Sequence, residues 1–138
     1  MGLIWRNIQP RLLEPQFVQD LTDVLGSDPS DWYVTYGHRT LEEQASLWAK
    51  YQDGGPKAAP PGKSAHNFGL AVDIVLDGDP HQPRLQMDWN ERHPDWIRMR
   101  AKIDAHPRLH GGWWFGDGDH IEKTKWKDHK DWHMGPLA

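Results

Sequence analysis

The run Ser64-Ala65-His66-Asn67-Phe68-Gly69-Leu70-Ala71-Val72-Asp73 holds the side chains best suited to chemistry. His66 and Asp73 are both metal-ligand types, seven positions apart. A strand rises about 3.3 Å per residue, so an extended chain would hold them too far apart for one ion. The chain must therefore bend near Gly69, whose lack of a Cβ permits it. Asp73 lies among Val72, Ile74 and Val75. A carboxylate in such an apolar run is costly unless it is paired, metal-bound or strongly hydrogen-bonded, which marks it as a candidate ligand. Catalytic zinc commonly takes three protein ligands and leaves a fourth position for water. His133, in Trp132-His133-Met134, is the strongest candidate for the third ligand, and His120 and His129 compete from more polar stretches. The competing reading makes these histidines ordinary surface residues.

Composition narrows the chemistry. The chain has no cysteine, which excludes thiolate metal sites, disulfides and a cysteine nucleophile, so any metal must be held by His, Asp or Glu. Its 138 residues fit a single domain, here a catalytic one over 1–138. A net charge of -4 argues against a nucleic-acid partner, since phosphate binding needs a basic surface. Nine Trp suit carbohydrate or cell-wall contact as well as ordinary packing. The opening MGLIWRNIQP lacks a basic stretch followed by a long apolar run, so synthesis in the cytoplasm without a signal peptide is expected. Apolar runs are too short for stable membrane insertion.

The elements that must position these residues follow from periodicity. Leu12, Leu13, Phe17, Leu21, Val24 and Leu25 recur at helical spacing over 11–25, with Pro15 suited to a first turn. Residues 32–36, WYVTY, read as a strand. Thr40 and Glu43 form a capping-box pattern that opens a helix to about Tyr51. The Gly- and Pro-rich stretch 53–64 is a surface loop. Leu70, Val72, Ile74 and Leu76 alternate with Ala71, Asp73 and Val75, a strand. Residues 77–93 are polar and irregular, 94–105 helical, and 111–115, GGWWF, a short strand. Residues 117–130 read as loop with one helical turn, and 131–134 as a last short strand.

Ser-x-His-Asn-x-Gly-x-Ala-x-Asp resembles the metal-binding signature of the M15 peptidases. It is closest to the L-alanyl-D-glutamate endopeptidases of phage endolysins and bacterial wall lysins, with D-Ala-D-Ala carboxypeptidases as relatives. Thr35-Tyr36-Gly37-His38-Arg39-Thr40, followed by Glu43-Gln44, is similar to the family's Gly-Tyr-Arg-Ser…Glu-Gln segment. Gly112-Trp113-Trp114 and Asp131-Trp132-His133 resemble its closing strands, so the likeness runs over roughly 30–134. It implies an α+β fold of the Hedgehog/D,D-peptidase-like kind, a small antiparallel sheet carrying a zinc site and packed by helices.

The resemblance makes His66, Asp73 and His133 the ligands of Zn2+. It makes Arg39 an anchor for a substrate carboxylate or carbonyl, Ser64 a hydrogen-bond donor near the site, and Gln44 a support for the Arg39 loop. The family's general base is Glu or Asp three residues before the last histidine, where this chain has Lys130. Asp131 is the first candidate replacement, since it would share a face with His133 on an extended strand, and Asp128 is the second. The implied activity is zinc-dependent hydrolysis of a peptidoglycan stem peptide by a monomer, at L-Ala–D-Glu, acting on the wall after release. A D-Ala-D-Ala carboxypeptidase and a catalytically weakened wall-binding module are the alternatives.

Overall fold

The computed structural model describes residues 2–131. In chain order the elements are β1 (Leu3–Trp5), α1 (Pro15–Leu25), β2 (Trp32–Tyr36), α2 (Leu41–Gln52), β3 (Ala71–Asp77), β4 (Met87–Asp88), α3 (Pro94–Asp104), β5 (Leu109–Gly111) and β6 (His120–Lys123). The strands form one sheet in the order β1-β2-β3-β6-β5, with β4 paired to the end of β3. Pairing is antiparallel except at the β1–β2 edge, which is parallel. This is the α+β arrangement expected.

Alternation along β3 decides which face holds what. Val72, Ile74 and Leu76 point to one side and pack with Phe17, Leu21 and Leu25 of α1 and Trp96, Met99 and Ile103 of α3. Burying side chains of this size contributes about 1.5–3 kcal/mol each, so this layer fixes the register of the central strand. Ala71 and Asp73 point to the opposite side. Helix α2 starts at the expected capping box, in which Thr40 and Glu43 satisfy each other's backbone N–H. Its only buried residue is Gln44, so α2 stands outside the main core and flanks the sheet's open face.

Several segments differ from the sequence expectation. Helix α1 begins at Pro15, and Leu12 and Leu13 precede it in a one-turn 3-10 helix and an extended residue, because a proline ring fits only the first turn. GGWWF is a 3-10 turn (Gly112–Phe115) rather than a strand, closed by the Asp117 N–H donating to Gly112 O at 2.8 Å. The strand lies one step earlier, at β5. Residues 120–123, expected in a loop, form β6 in the middle of the sheet. Only Ile121 of β6 joins the core, so the segment carries too little apolar alternation to read as a strand. The expected helical turn is present at Trp126–His129. The last strand expected at 131–134 falls, beyond Asp131, outside the described residues.

Two buried ionic contacts tie the layers together. Asp28 accepts from Arg98 at 2.8 and 3.1 Å, Lys102 at 2.7 Å and Trp32 Nε1 at 2.9 Å, joining the α1–β2 connection to α3. Lys123 of β6 pairs with Glu14 at the start of α1. Among the described residues, no helix is long and apolar enough to cross a membrane.

Candidate metal centre

Residues Ala65–Phe68 form a single 3-10 turn that Ser64 caps by accepting from the His66 N–H. Ser64 therefore serves as a cap while also lining the cleft. Gly69 follows with φ 68°, a left-handed conformation that glycine adopts without steric cost, and the chain reverses there into β3. This is the bend the spacing of His66 and Asp73 required. His66 is 3% exposed, and its Nδ1–H donates to Gly37 O at 2.8 Å. That bond fixes the tautomer and leaves Nε2 free to bind a metal. An irregularity in β2 between Val34 and Tyr36 swings the following loop over the turn, so Arg39 N–H reaches His66 O at 2.9 Å.

Asp73 pairs directly with His120 across the β3–β6 ladder, and Ala71 with Glu122. Opposed residues share a face, so Asp73, His120 and Glu122 all project to the open side of the sheet. Asp73 Oδ1 lies 3.3 Å from His66 Nε2 and 3.3 Å from His120 Nδ1. Donors placed 2.0–2.2 Å from a tetrahedral zinc ion would stand about 3.3–3.6 Å from one another. Yet neither Asp73 Oδ1 nor His120 Nδ1 makes an aligned hydrogen bond, although both are buried. Two orphaned buried donors at tetrahedral spacing, with His66 Nε2 beside them, fit a divalent ion. Glu122 completes the arrangement by accepting from His120 Nε2–H at 2.8 Å, the carboxylate–histidine–metal relay that orients a ligating imidazole.

The electrostatics agree. Burial works against ionised Asp73, but the two imidazoles outweigh it and hold the carboxyl well below its usual range. Burial likewise opposes protonated His120, yet Asp73 and Glu122 push it up to about 9. The same two carboxylates that favour a proton on His120 favour a cation beside it. Asp119 is raised to about 7 by burial, by the charge of Asp73 and by Asp117.

The site residues read from sequence distribute as follows. His66 and Asp73 converge as expected. His120, weighed as a competitor, supplies the third donor among the described residues, and His133 lies outside them. Asp131 is the last described residue and is exposed, as is Asp128 in the Trp126–His129 turn. Neither lines the cleft, whereas Asp117 does, with Oδ2 3.7 Å from His120 Nδ1. Asp117 stands three residues before His120, the family's spacing for its base, and that spacing was the available signal for both. Arg39 lines the cleft and donates to Gln44 Oε1 at 3.0 Å. Gln44 is 1% exposed and also donates to Ala59 O, so it braces Arg39. Asn67, whose role the sequence left unassigned, donates to Arg39 O and accepts from Gly62 N–H, locking the two loops together.

The cleft measures about 930 Å³ and carries Arg39, Lys50, Lys57, Lys63 and Lys127 on its walls, with Asp73, Asp117 and Glu122 at the metal end.

Comparison with known proteins places this geometry. The family model VanY: D-alanyl-D-alanine carboxypeptidase matches residues 15–134. No curated protein sequence matches. Among solved structures, the Serratia marcescens L-Ala D-Glu endopeptidase ChiX is similar with a TM-score of 0.60 and 20% identity, over 88% of this chain and 86% of that one. The vancomycin resistance D,D-pentapeptidase VanY from a VanB-type cassette, a mutant in complex with Zn(II), gives 0.52 and 22% identity, over 91% of this chain and 78% of that one. These likenesses show a shared fold, and the family match covers most of the chain. With its His, Asp and His donors gathered on such a sheet, the chain belongs to the VanY family of peptidoglycan peptidases, within the M15 metallopeptidases.

Proposed function

We propose that the chain is a zinc-dependent hydrolase cutting the L-Ala–D-Glu bond of the peptidoglycan stem peptide, with His66, Asp73 and His120 as ligands. The observation that carries this is the pair of 3.3 Å separations around Asp73 Oδ1, with Asp117 beside them. A zinc ion held there supplies Lewis-acid activation of a water and of the scissile carbonyl. Asp117, half-exposed at the cleft, takes the proton from the attacking water and returns it to the leaving amine. Arg39, braced by Gln44, offers its forked donors to a carboxylate or carbonyl of the substrate. Glu122 holds the His120 ring in place.

The charge of the cleft favours an orientation. The D-Glu side of the bond carries the stem's free carboxylates, and the lysine-lined arm complements them. The acyl side, L-Ala, then points the opposite way past the metal. With Asp117 available as base, Lys130 no longer argues for a weakened binding module.

A D-Ala-D-Ala carboxypeptidase is the second reading, favoured by the description of the matching family model. Digestion of purified peptidoglycan, with mass spectrometry of the new termini, separates the two. Fragments ending in L-Ala beside peptides beginning with D-Glu support the endopeptidase. Release of free D-Ala alone overturns it in favour of the carboxypeptidase, and lysis undiminished by a chelator sinks the metal mechanism.

A further inference from the structure

A second, smaller pocket of about 260 Å³ is lined by Trp89, Glu91, Trp96, Arg100, Gly118 and Asp119. Asp119 joins it to the site, because its carboxylate lies within 4.8 Å of those of Asp73 and Asp117. Neither the metal chemistry nor the lysine arm uses this pocket.

Its construction is specific. Trp96 is buried and anchored by Nε1–H donating to Asp88 O at 2.7 Å. Trp89 lies over it at 28° with centroids 6.5 Å apart, and is itself 49% exposed. Arg100 sits 5.4 Å from the Trp96 ring and 5.3 Å from that of Trp113, and donates to Glu91 Oε1 and Gly118 O. Gly118 allows that closeness, since a Cβ there would meet Glu91 Oε1 at 2.4 Å. An exposed indole on a rigid aromatic base is thus ringed by a guanidinium and two carboxylates.

The geometry points to a subsite for one pyranose ring, the muramyl sugar that carries the stem peptide, seated on Trp89 with its polar groups toward Glu91, Arg100 and Asp119. The chemistry selects this occupant. A sugar offers an apolar C–H face for an indole and hydroxyl and amide groups at its edge for charged partners. The volume falls just under the range of about 300–1,000 Å³ typical of drug-sized ligands, which suits a single ring. Position agrees as well. In the orientation proposed above, the acyl side of the scissile bond carries one L-Ala and then the sugar's lactyl group, so the sugar falls next to the metal. A D-Ala-D-Ala bond would leave it several residues away. The inference therefore rests on the endopeptidase reading for its occupant.

The test uses the full zinc-loaded chain and its Trp89→Ala and Glu91→Gln variants. N-acetylmuramyl-L-alanine is titrated by calorimetry, and kcat/KM is measured on a stem tetrapeptide with and without the muramyl group. We expect Trp89→Ala to weaken muramyl-alanine binding about tenfold, with a smaller loss for Glu91→Gln. The same variants should lower kcat/KM on the sugar-bearing peptide and leave the bare peptide within twofold. Equal losses on both peptides, or unchanged binding of muramyl-alanine, would overturn the subsite. If the wild type releases D-Ala instead, the endopeptidase reading fails by itself. The titration then still decides the pocket, through the dependence of binding on Trp89.

Discussion

Replacing Glu122 by alanine isolates the part the sheet plays in the metal centre. Glu122 accepts the His120 Nε2–H at 2.8 Å and makes no direct claim on the ion. Removing such an orienting carboxylate typically costs 10–100-fold in metal affinity, which corresponds to about 1.4–2.7 kcal/mol. A second effect runs the other way. Glu122 helps push metal-free His120 up to about 9, so its loss eases the competition between proton and zinc. At pH 7 the wild-type His120 must shed a proton to bind, and the variant pays less of that cost. The deficit should therefore be partial at pH 7 and full at pH 9, where proton competition fades in both. Competition titration with a chromophoric chelator at the two pH values measures this, with thermal melts confirming the fold. Zinc affinity equal to wild type at pH 9, or a deficit that shrinks between pH 7 and 9, would refute the orienting role.

Other consequences are accessible to single measurements. His120→Ala should lower zinc retention more than about 100-fold, beyond the loss expected for an orienting residue, whereas His133→Ala should retain zinc; metal content after dialysis distinguishes them. Asp117→Asn should keep zinc and lower kcat by about 10²–10⁴, with Asp131→Asn and Asp128→Asn near wild type in the same assay; an unimpaired Asp117→Asn would move the base elsewhere. Asp28→Ala should destabilise the fold by about 2–3 kcal/mol, since Arg98 and Lys102 lose their shared buried partner, measurable by urea unfolding. The Asp28 carboxyl is held low: burial opposes its charge, but hydrogen bonds from Arg98, Lys102 and Trp32 overcome it. A depressed carboxyl stabilises the fold above its unfolded pKa of about 4, and that contribution drains away as pH falls toward the folded value. Thermal stability should thus decline below about pH 4, and less steeply in Asp28→Ala.

How legible the site was depended on how each segment earns its place. His66 and Asp73 could be read because a continuous signature joins them and because β3 has a full apolar face that makes a lone carboxylate conspicuous. The capping box at Thr40 and the bend at Gly69 were equally local, and both are as expected. Strand β6 was not legible. It is held in the sheet by backbone pairing to two neighbours, by Ile121 as its one core residue and by the Lys123–Glu14 pair, while His120 and Glu122 face the cleft. A strand that lines a site on one face and contributes one residue to the core has no period to detect. Trp132-His133-Met134, with its apolar flanks, was the louder local pattern. The pocket at Trp89 was hidden for a different reason, since its walls come from separate segments of 89–100 and 118–119.

The direct pairing of Asp73 with His120 has a consequence for folding fidelity. Side chains alternate with a period of two, so a slip of one residue between β3 and β6 would bring Val72 or Ile74 opposite His120 and separate the donors. Only the native alignment gathers three ligands, and an ion that binds only that alignment stabilises it in proportion to its affinity. Zinc would therefore act as a proofreader of strand alignment, and metal occupancy would report whether the sheet has been assembled in its one competent register.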